Sequence, residues 1–393
     1  HIDTSGFNHL EMDGDLLRAQ AGARWSQVIR FLVERGLTVE VMQSNNDFSI
    51  GGTLSVNAHG WQPKRPPVAS TVEKLRLMLH DGSVRECSRT KEANLFRHAL
   101  GGYGLFGIIL DAWIRPVQNE MLQSEHRLLE TDEFIDAWNI INKEDIRLAY
   151  ARLSVAPSTF FQEVLLTTYR STGKDALRET PEEPGGFRVN LARAIFRASL
   201  HSDRGKSFRW FIEKQIGGEA SGAHPRSHLL NEPVRVFGNA DPDRTDMLME
   251  FFVPCGRFAK FAKTAREILK NEADELLNVT IRHVAKDVDT ALPYAKEDVF
   301  GFVMLFNVER SAKGVESLRE RARRLTDAAI NFGGSFYLPY RNYATPEQLL
   351  RAYPKFVAFV QEKRSVDPTN LFSNGFFDHY SKAIEKNERS PEK

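Results

Sequence analysis

The chain has 393 residues, enough for two or three domains with buried cores. Its 41% hydrophobic and 27% charged residues are typical of a globular protein, and 53 basic against 52 acidic residues leave almost no net charge. This balance argues against nucleic-acid binding. The two cysteines, Cys87 and Cys255, lie far apart without metal-ligand spacing, which predicts two reduced thiols and no metal site.

No apolar run in the sequence approaches the length of a membrane span, and no apolar leader opens it. By default this predicts a cytoplasmic location. The sequence starts at His1 and enters directly into an apparent strand, so we expect that an N-terminal segment is missing, together with any signal peptide.

Residues 1–118 are expected to form one α+β domain, because alternating and helical apolar patterns succeed each other. The predicted elements are a hairpin at 8–20, a helix at Trp25–Val33 ended by Gly36, a strand at Leu37–Met42, a hairpin from Thr71 through Asp81-Gly82, a helix at Lys91–Leu100 and a strand at Ile108–Arg115. Pro116 closes this block.

The sequence pattern of residues 119–340 predicts a second, strand-rich domain. Its expected strands are Met121–Leu129, Leu148–Val155, Phe160–Tyr169, Met247–Val253, Val279–His283 and Val299–Val308, with helices at Thr131–Asn142, Arg257–Asn271 and Gly314–Asn331. A helical insertion is expected at about 171–243, which is rich in Gly, Pro, Arg and Ser. Residues 341–393 should add a helix at Pro346–Arg364 and a return segment packed on the first domain.

The insertion also interleaves basic and aromatic residues between Arg188 and Lys214, in and around expected helices at Leu191–Leu200 and Ser207–Ile216. Such a pattern can suit the surface of a membrane. We favour a cap helix packed on its own domain over peripheral membrane contact.

A run of small, neutral residues, QSNNDFSIGGTLSVNAHG, occupies positions 43–60. The paired glycines Gly51 and Gly52 let backbone N–H groups approach a ligand closely, which suits a diphosphate or the polar edge of a flavin. Composition alone would also allow a loop that merely turns a corner. The length of the run and its closure by His59-Gly60 favour binding.

A second glycine run, GGYGLFG at 101–107, formally contains GxGxxG at Gly102, Gly104 and Gly107. A dinucleotide fold needs a strand before these glycines and a helix after them. Here a predicted helix precedes them and a predicted strand follows, so this interpretation fails on context. Close backbone contact with a flat ligand is the better hypothesis.

In this order, SIGGTLSVNAHG, the hairpin HDGSV and ANLFRHALGGYGLFGIILDAWIRP resemble the FAD-binding domain of the vanillyl-alcohol-oxidase superfamily. The resemblance implies a two-domain α+β fold of the type called PCMH, with an antiparallel-sheet substrate (cap) domain, and non-covalently bound FAD. It implies that the FAD is lined by Gly51, Gly52, Thr53, Ser55, Asn57, His59, Gly60, Gly102, Gly104, Gly107 and Ile108, with Ser44, Asn45 and Asp47 on the diphosphate side.

The C-terminal segment GGSFYLPYRNYATPEQLLRAYPKF resembles the ends of decaprenylphosphoryl-ribose, alditol and gulonolactone-type oxidases. In those relatives a strand presents a lysine to the substrate where this chain has Tyr340. A phenol is a poor base unless a cation lowers its pKa. Arg341 is adjacent, but strand alternation would send it to the opposite face, so Arg282 or His283 are alternative partners.

The relatives also begin with a β-α-β segment that contacts the FAD diphosphate, and this sequence lacks it. We therefore expect either a fragment or a partner chain that supplies the missing FAD subdomain.

The expected function is oxidation of a small hydroxylated substrate (a sugar, polyol or sugar lactone) by FAD, which O₂ or another acceptor then reoxidises. A non-catalytic flavin-fold subunit and a flavin reductase are the alternatives.

Overall fold

The computed structural model describes residues 3–141, 143–182, 194–200, 202–218, 222–233, 238–239 and 241–389. They form two large sheets with helices packed around them, so the predicted α+β class is confirmed. The last strand of the first sheet ends at Ile114, and the first strand of the second sheet begins at Glu120. No helix in the described ranges combines the length and apolarity needed to span a membrane.

The first sheet has five strands in the order β1-β2-β6-β4-β5, and its neighbouring strands are antiparallel. They are β1 (Leu10–Asp13), β2 (Leu16–Gln20), β4 (Val72–Met78), β5 (Val84–Ser88) and β6 (Ile108–Ile114). A separate ribbon pairs β3 (Leu37–Val39) with β7 (Pro116–Gln118). Both predicted hairpins form.

Three helices accompany this sheet: α1 (Trp25–Val33), α2 (Ile50–Ser55) and α3 (Ala93–Ala99). The apolar stripe of α1 is fully buried, and each large side chain in it contributes roughly 1.5–3 kcal/mol. Trp25 Nε1 also donates to Thr53 Oγ1 at 2.9 Å, which ties α1 to α2. The first glycine run is thereby fixed against the core.

The second sheet has eight antiparallel strands in the order β11-β8-β10-β9-β13-β14-β12-β15. They are β8 (Glu120–Glu130), β9 (Ile146–Leu153), β10 (Glu163–Asp175), β11 (His224–Pro225), β12 (Arg244–Pro254), β13 (Leu276–Val284), β14 (Val299–Glu309) and β15 (Ser335–Phe336).

One face of the second sheet is covered by α4 (Phe134–Ile141), α8 (Phe258–Leu269) and α9 (Ala312–Asn331). Phe300 and Phe302 of β14 point to this side, where they contact rings of α4 and α8. Side chains alternate along a strand, so Gly301 and its cross-strand neighbours Arg282 and Phe252 face the other way. That second face is turned towards the first sheet and its loops.

The insertion includes a short helix α5 (194–198), α6 (Asp203–Gly218) and α7 (Arg226–Leu229). Arg188 and the first residues of the helix expected at Leu191–Leu200 lie outside the described residues. Helix α6 packs on the second sheet through Trp210, whose Nε1 donates to Glu163 Oε2 at 2.6 Å.

The C-terminal part forms α10 (Pro346–Ala352), α11 (Phe356–Val366) and α12 (Gly375–Arg389). The prediction of one helix at Pro346–Arg364 was wrong. Pro354 interrupts it because proline lacks an N–H and disfavours helical backbone at the preceding residue. Tyr353 accordingly has φ −128° and ψ 75°.

Candidate active site

The two glycine runs lie side by side. Gly101 N donates to Leu54 O at 2.9 Å, and Tyr103 N donates to Ser55 O at 2.7 Å. Helix α3 precedes the second run and β6 follows it, so the rejection of a dinucleotide fingerprint is confirmed. We call α2 together with residues 101–108 the glycine shelf.

The residues predicted to bind FAD differ in how far they are exposed to solvent. Gly52 and Gly104 are exposed on the shelf, and partly exposed beside them are Gly51, Ser55, Gly107 and Ile108. The buried ones are Thr53, Asn57, His59, Gly60 and Gly102.

Two of the buried glycines are required by close packing of the chain. A Cβ at Gly60 would stand 1.9 Å from Met42 O, and one at Gly102 would stand 1.8 Å from His98 O. Gly60 and Gly102 therefore let backbone segments cross at short distance.

The remaining predicted cofactor residues lie near the second sheet. Ser44 Oγ accepts a hydrogen bond from Arg282 Nη2 at 2.6 Å, and Asn45 forms a parallel bridge with Glu232. Asp47 is partly exposed in the same loop. These contacts join residues 43–60, which we call the cofactor loop, to β13 and to Glu232 of the insertion.

His59 and Glu250 form a buried pair between the two sheets. His59 Nε2 lies 2.5 Å from Glu250 Oε1, and the two residues are 5% and 4% exposed. His59 Nδ1 lies 3.1 Å from Gly60 O, which can only accept, so Nδ1 is the donor in that contact. The rings of Phe252, Tyr294 and Tyr337 surround the imidazole, so the pair is shielded from water.

Residues in loops next to the strands of the second sheet also hold the backbone of the first glycine run. Tyr294 Oη donates to Asn57 O at 2.8 Å, and Tyr337 Oη donates to Val56 O at 2.9 Å. Asn57 Nδ2 donates to the buried carboxylate of Asp287 at 2.9 Å. The cofactor loop is therefore held in place by residues in loops next to the second sheet.

Tyr340 lies in a turn after β15, so strand alternation does not apply to it. Burial and the neighbouring Glu250 raise the pKa of Tyr340, and Arg282 opposes the shift. The phenol consequently stays protonated at neutral pH and can donate a hydrogen bond, but cannot act as a base. Arg341 is exposed.

His283, the other predicted partner, points to the helix-covered face. Its ring stacks on Trp138 with centroids 5.1 Å apart, and Lys64 N donates to its Nδ1 at 3.3 Å. Burial lowers the pKa of His283 to about 4. Of the four predicted catalytic residues, the structure therefore brings together Tyr340 and Arg282, and it separates His283 from them.

Several buried polar atoms in this region have no hydrogen-bond partner among the described residues. Gln62 is 3% exposed, and both ends of its amide lack a partner, as do Gln43 Oε1 and Arg282 Nε. Such orphaned atoms require a polar partner, which ordered water or a bound polar ligand can supply. The polar edge of a flavin carries donors and acceptors that these amides can pair with, so the residues fit FAD, with the glycine shelf available for its remaining length.

A small cavity of about 30 Å³ borders Tyr340 and Glu250, with room for a water molecule or two. It is too small for a sugar.

Sequence reasoning missed Glu250 and Gln62, and also Arg152, which pairs with Thr280 of β13 and lies on the same face as Arg282. Glu250 and Arg152 each lie within an apolar stretch of a strand, in MLMEFFVP and LAYARLSV. A lone charge in a buried strand was the available signal. Gln62 carried no such signal, because its lack of partners appears only in three dimensions.

Comparison with known proteins agrees with this geometry. The sequence profile of a family described as "FAD binding domain" matches residues 1–88. Together with the fold, this places the chain among FAD-binding proteins.

Three relatives show which kinds of enzyme the chain is similar to. The chain is 26% identical over 125 residues to D-arabinono-1,4-lactone oxidase of Debaryomyces hansenii, covering 32% of this chain and 22% of the relative. It is 31% identical over 128 residues to mitochondrial L-galactono-1,4-lactone dehydrogenase of Brassica oleracea, covering 32% and 21%. It is 25% identical over 418 residues to cytokinin dehydrogenase 1 of Oryza sativa subsp. japonica, covering 93% and 74%.

The matches are thus to a FAD-binding domain and to oxidases and dehydrogenases of the vanillyl-alcohol-oxidase superfamily, so the resemblance seen in the sequence and the expectation of FAD as cofactor are confirmed. The chain's match spans about a fifth of the lactone enzymes' own length.

Proposed function

We propose that this chain takes part in the FAD-dependent oxidation of a hydroxyl group on a sugar, polyol or sugar-lactone-like substrate. The observation that carries the proposal is the convergence of Glu250, Arg282 and Tyr340 on the sheet face that meets the cofactor loop. The lactone oxidases and dehydrogenases among the relatives support this substrate class.

FAD, when bound, supplies the two-electron acceptor that takes a hydride from the carbon bearing the hydroxyl. The residues of the chain handle the hydroxyl proton. Glu250 Oε1 is bonded to His59, whereas Oε2 forms no hydrogen bond with the described residues, so Oε2 is the proposed proton acceptor. The protonated Tyr340 orients the substrate oxygen by donating a hydrogen bond. Loss of the hydride and the proton leaves a carbonyl group.

The deciding experiment is anaerobic bleaching of the FAD-loaded protein by a panel of polyols, aldonolactones and prenyl-linked sugars. Bleaching by at least one of these supports the proposal. Failure of the purified protein to take up FAD, or bleaching by NAD(P)H alone, would refute it.

Glu250→Gln tests the proton acceptor, because glutamine keeps the shape and can still bond to His59. We expect turnover to fall by about 10²–10⁴-fold with flavin content unchanged. Glu309→Gln is the matched control, since Glu309 is exposed at the end of β14 on the same sheet. Tyr340→Phe should raise KM more than it lowers kcat.

A further inference from the structure

Two arginines stand side by side on the sheet face that meets the cofactor loop. Arg152 of β9 is paired with Thr280 of β13, and Arg282 follows two residues later on the same face. Diagonal neighbours of this kind have Cα atoms about 7–8 Å apart. The two guanidinium groups can therefore reach one small ligand.

Neither arginine has its hydrogen-bonding capacity filled by the described residues. Arg282 donates once, to the neutral Ser44 hydroxyl, and its Nε is buried without a partner. Arg152 is half-buried, and no hydrogen bond or ion pair within 4.0 Å joins it to a described residue. A guanidinium offers five N–H donors, so most of the donors of this pair remain available.

The nearby carboxylates do not neutralise the pair by direct contact. Glu250 is bonded to His59, and Glu232 forms no ion pair within 4.0 Å with either arginine. Burial lowers the pKa of Arg282, and the like charge of Arg152 adds to this shift, whereas the charges of Glu250 and Glu232 oppose it from a distance. Two half-buried like charges with free donors are stabilised when an oxyanion bridges them.

We propose that Arg152 and Arg282 bind an oxyanion of the substrate, a carboxylate or a phosphate, so that the site selects acidic hydroxylated compounds over neutral polyols. This inference rests on the proposed function for the identity of the site. The acidic group would be held by the arginines while the reacting hydroxyl lies towards Glu250 and Tyr340.

The test measures binding to the FAD-loaded protein by calorimetry, without turnover, using gluconate, glucitol 6-phosphate and the neutral glucitol as probes. We expect gluconate or the phosphate to bind at least tenfold more tightly than glucitol, and the stronger of the two identifies the anion. Equal affinity for all three would overturn the inference.

Arg152→Met removes the charge without breaking a described hydrogen bond, so folding should be retained. We expect anion affinity to fall roughly tenfold to a hundredfold, as for the loss of a charge-assisted pair. Arg127→Met on the exposed end of β8 is the matched control and should bind as the wild type. Unchanged anion affinity in Arg152→Met would overturn the inference, and so would a loss of FAD instead of substrate affinity.

The two proposals can fail separately. Arginine-dependent binding of gluconate without flavin bleaching by any substrate would sustain the anion site and refute the oxidation. Bleaching of the flavin by polyols, with equal affinity for anionic and neutral probes, would support the oxidation and refute the anion site.

Discussion

Asp287 fixes the cofactor loop from the opposite domain, and replacing it with alanine should weaken both folding and FAD binding. Its carboxylate is 4% exposed and accepts hydrogen bonds from Asn57 Nδ2 at 2.9 Å, Asp289 N at 2.8 Å and Thr290 N at 3.2 Å, and also from Thr290 Oγ1. Asn57 has φ 46°, a left-handed conformation that this network helps to hold.

The expected loss of unfolding free energy follows from the hydrogen-bond donors that Asp287→Ala leaves without an acceptor. A buried donor without an acceptor costs about 1–3 kcal/mol, and part of this is recovered because the desolvated carboxylate is removed as well. We therefore expect Asp287→Ala to lower the free energy of unfolding by about 3–5 kcal/mol. FAD affinity should fall about tenfold or more, because Asn57 would no longer be held against the glycine shelf.

Urea unfolding and FAD titration by flavin fluorescence measure the two effects. Val288→Ala is the matched control, since Val288 lies in the same loop and is 59% exposed, and it should change stability by less than about 0.5 kcal/mol. If Asp287→Ala behaved like this control, or lost stability while keeping full FAD affinity, the reasoning would be refuted.

Two further predictions concern acid sensitivity and close packing. The pKa of His283 falls from 6.5 to about 4 on folding, so the unfolded state binds more protons between these values and stability is lost as pH falls through them. Between pH 7 and pH 5 His283 should by itself lower the unfolding free energy by about 2 kcal/mol, so the drop should be smaller by about this amount in His283→Phe; equal drops in the two proteins would contradict the assignment. Gly60→Ala should destabilise by about 3 kcal/mol or more because its Cβ would meet Met42 O, whereas Gly256→Ala, with open space around it, should be near neutral in urea unfolding.

Much of the fold could be predicted because the local signals are strong. The stripe of α1 and the hairpins at Asp13-Gly14 and Asp81-Gly82 depend on nearest neighbours along the chain. The order of strands in the second sheet could not be predicted, since it depends on pairing between distant segments. Pro354 is visible in the sequence as a helix breaker, but apolar periodicity continues on both sides of it, so the pattern alone predicts one helix.

The candidate site likewise has a part that could be predicted from local sequence and a part that depends on tertiary structure. Glycine runs are local patterns, so the sequence alone can predict which residues form a cofactor loop. Catalytic roles depend on which face of a sheet a side chain occupies. His283 and Arg282 are adjacent in the sequence, yet one stacks on Trp138 and the other reaches Ser44. The neighbours of Tyr340 could not be chosen from the sequence because β15 ends at Phe336, before the turn that carries it.

Three hydrogen bonds from other parts of the chain hold backbone carbonyls in or next to the glycine runs. The backbone carbonyls of Val56 and Asn57 accept hydrogen bonds from Tyr337 and Tyr294, and Tyr103 O accepts one from Asn374 Nδ2 at 2.8 Å. All three donors come from residues outside the first sheet, so the backbone at Val56, Asn57 and Tyr103 is held partly by the loops of the second sheet and by the C-terminal segment. A substitution there can shift the shelf without touching FAD. Measuring flavin content beside turnover in every variant is therefore necessary to separate chemistry from cofactor placement.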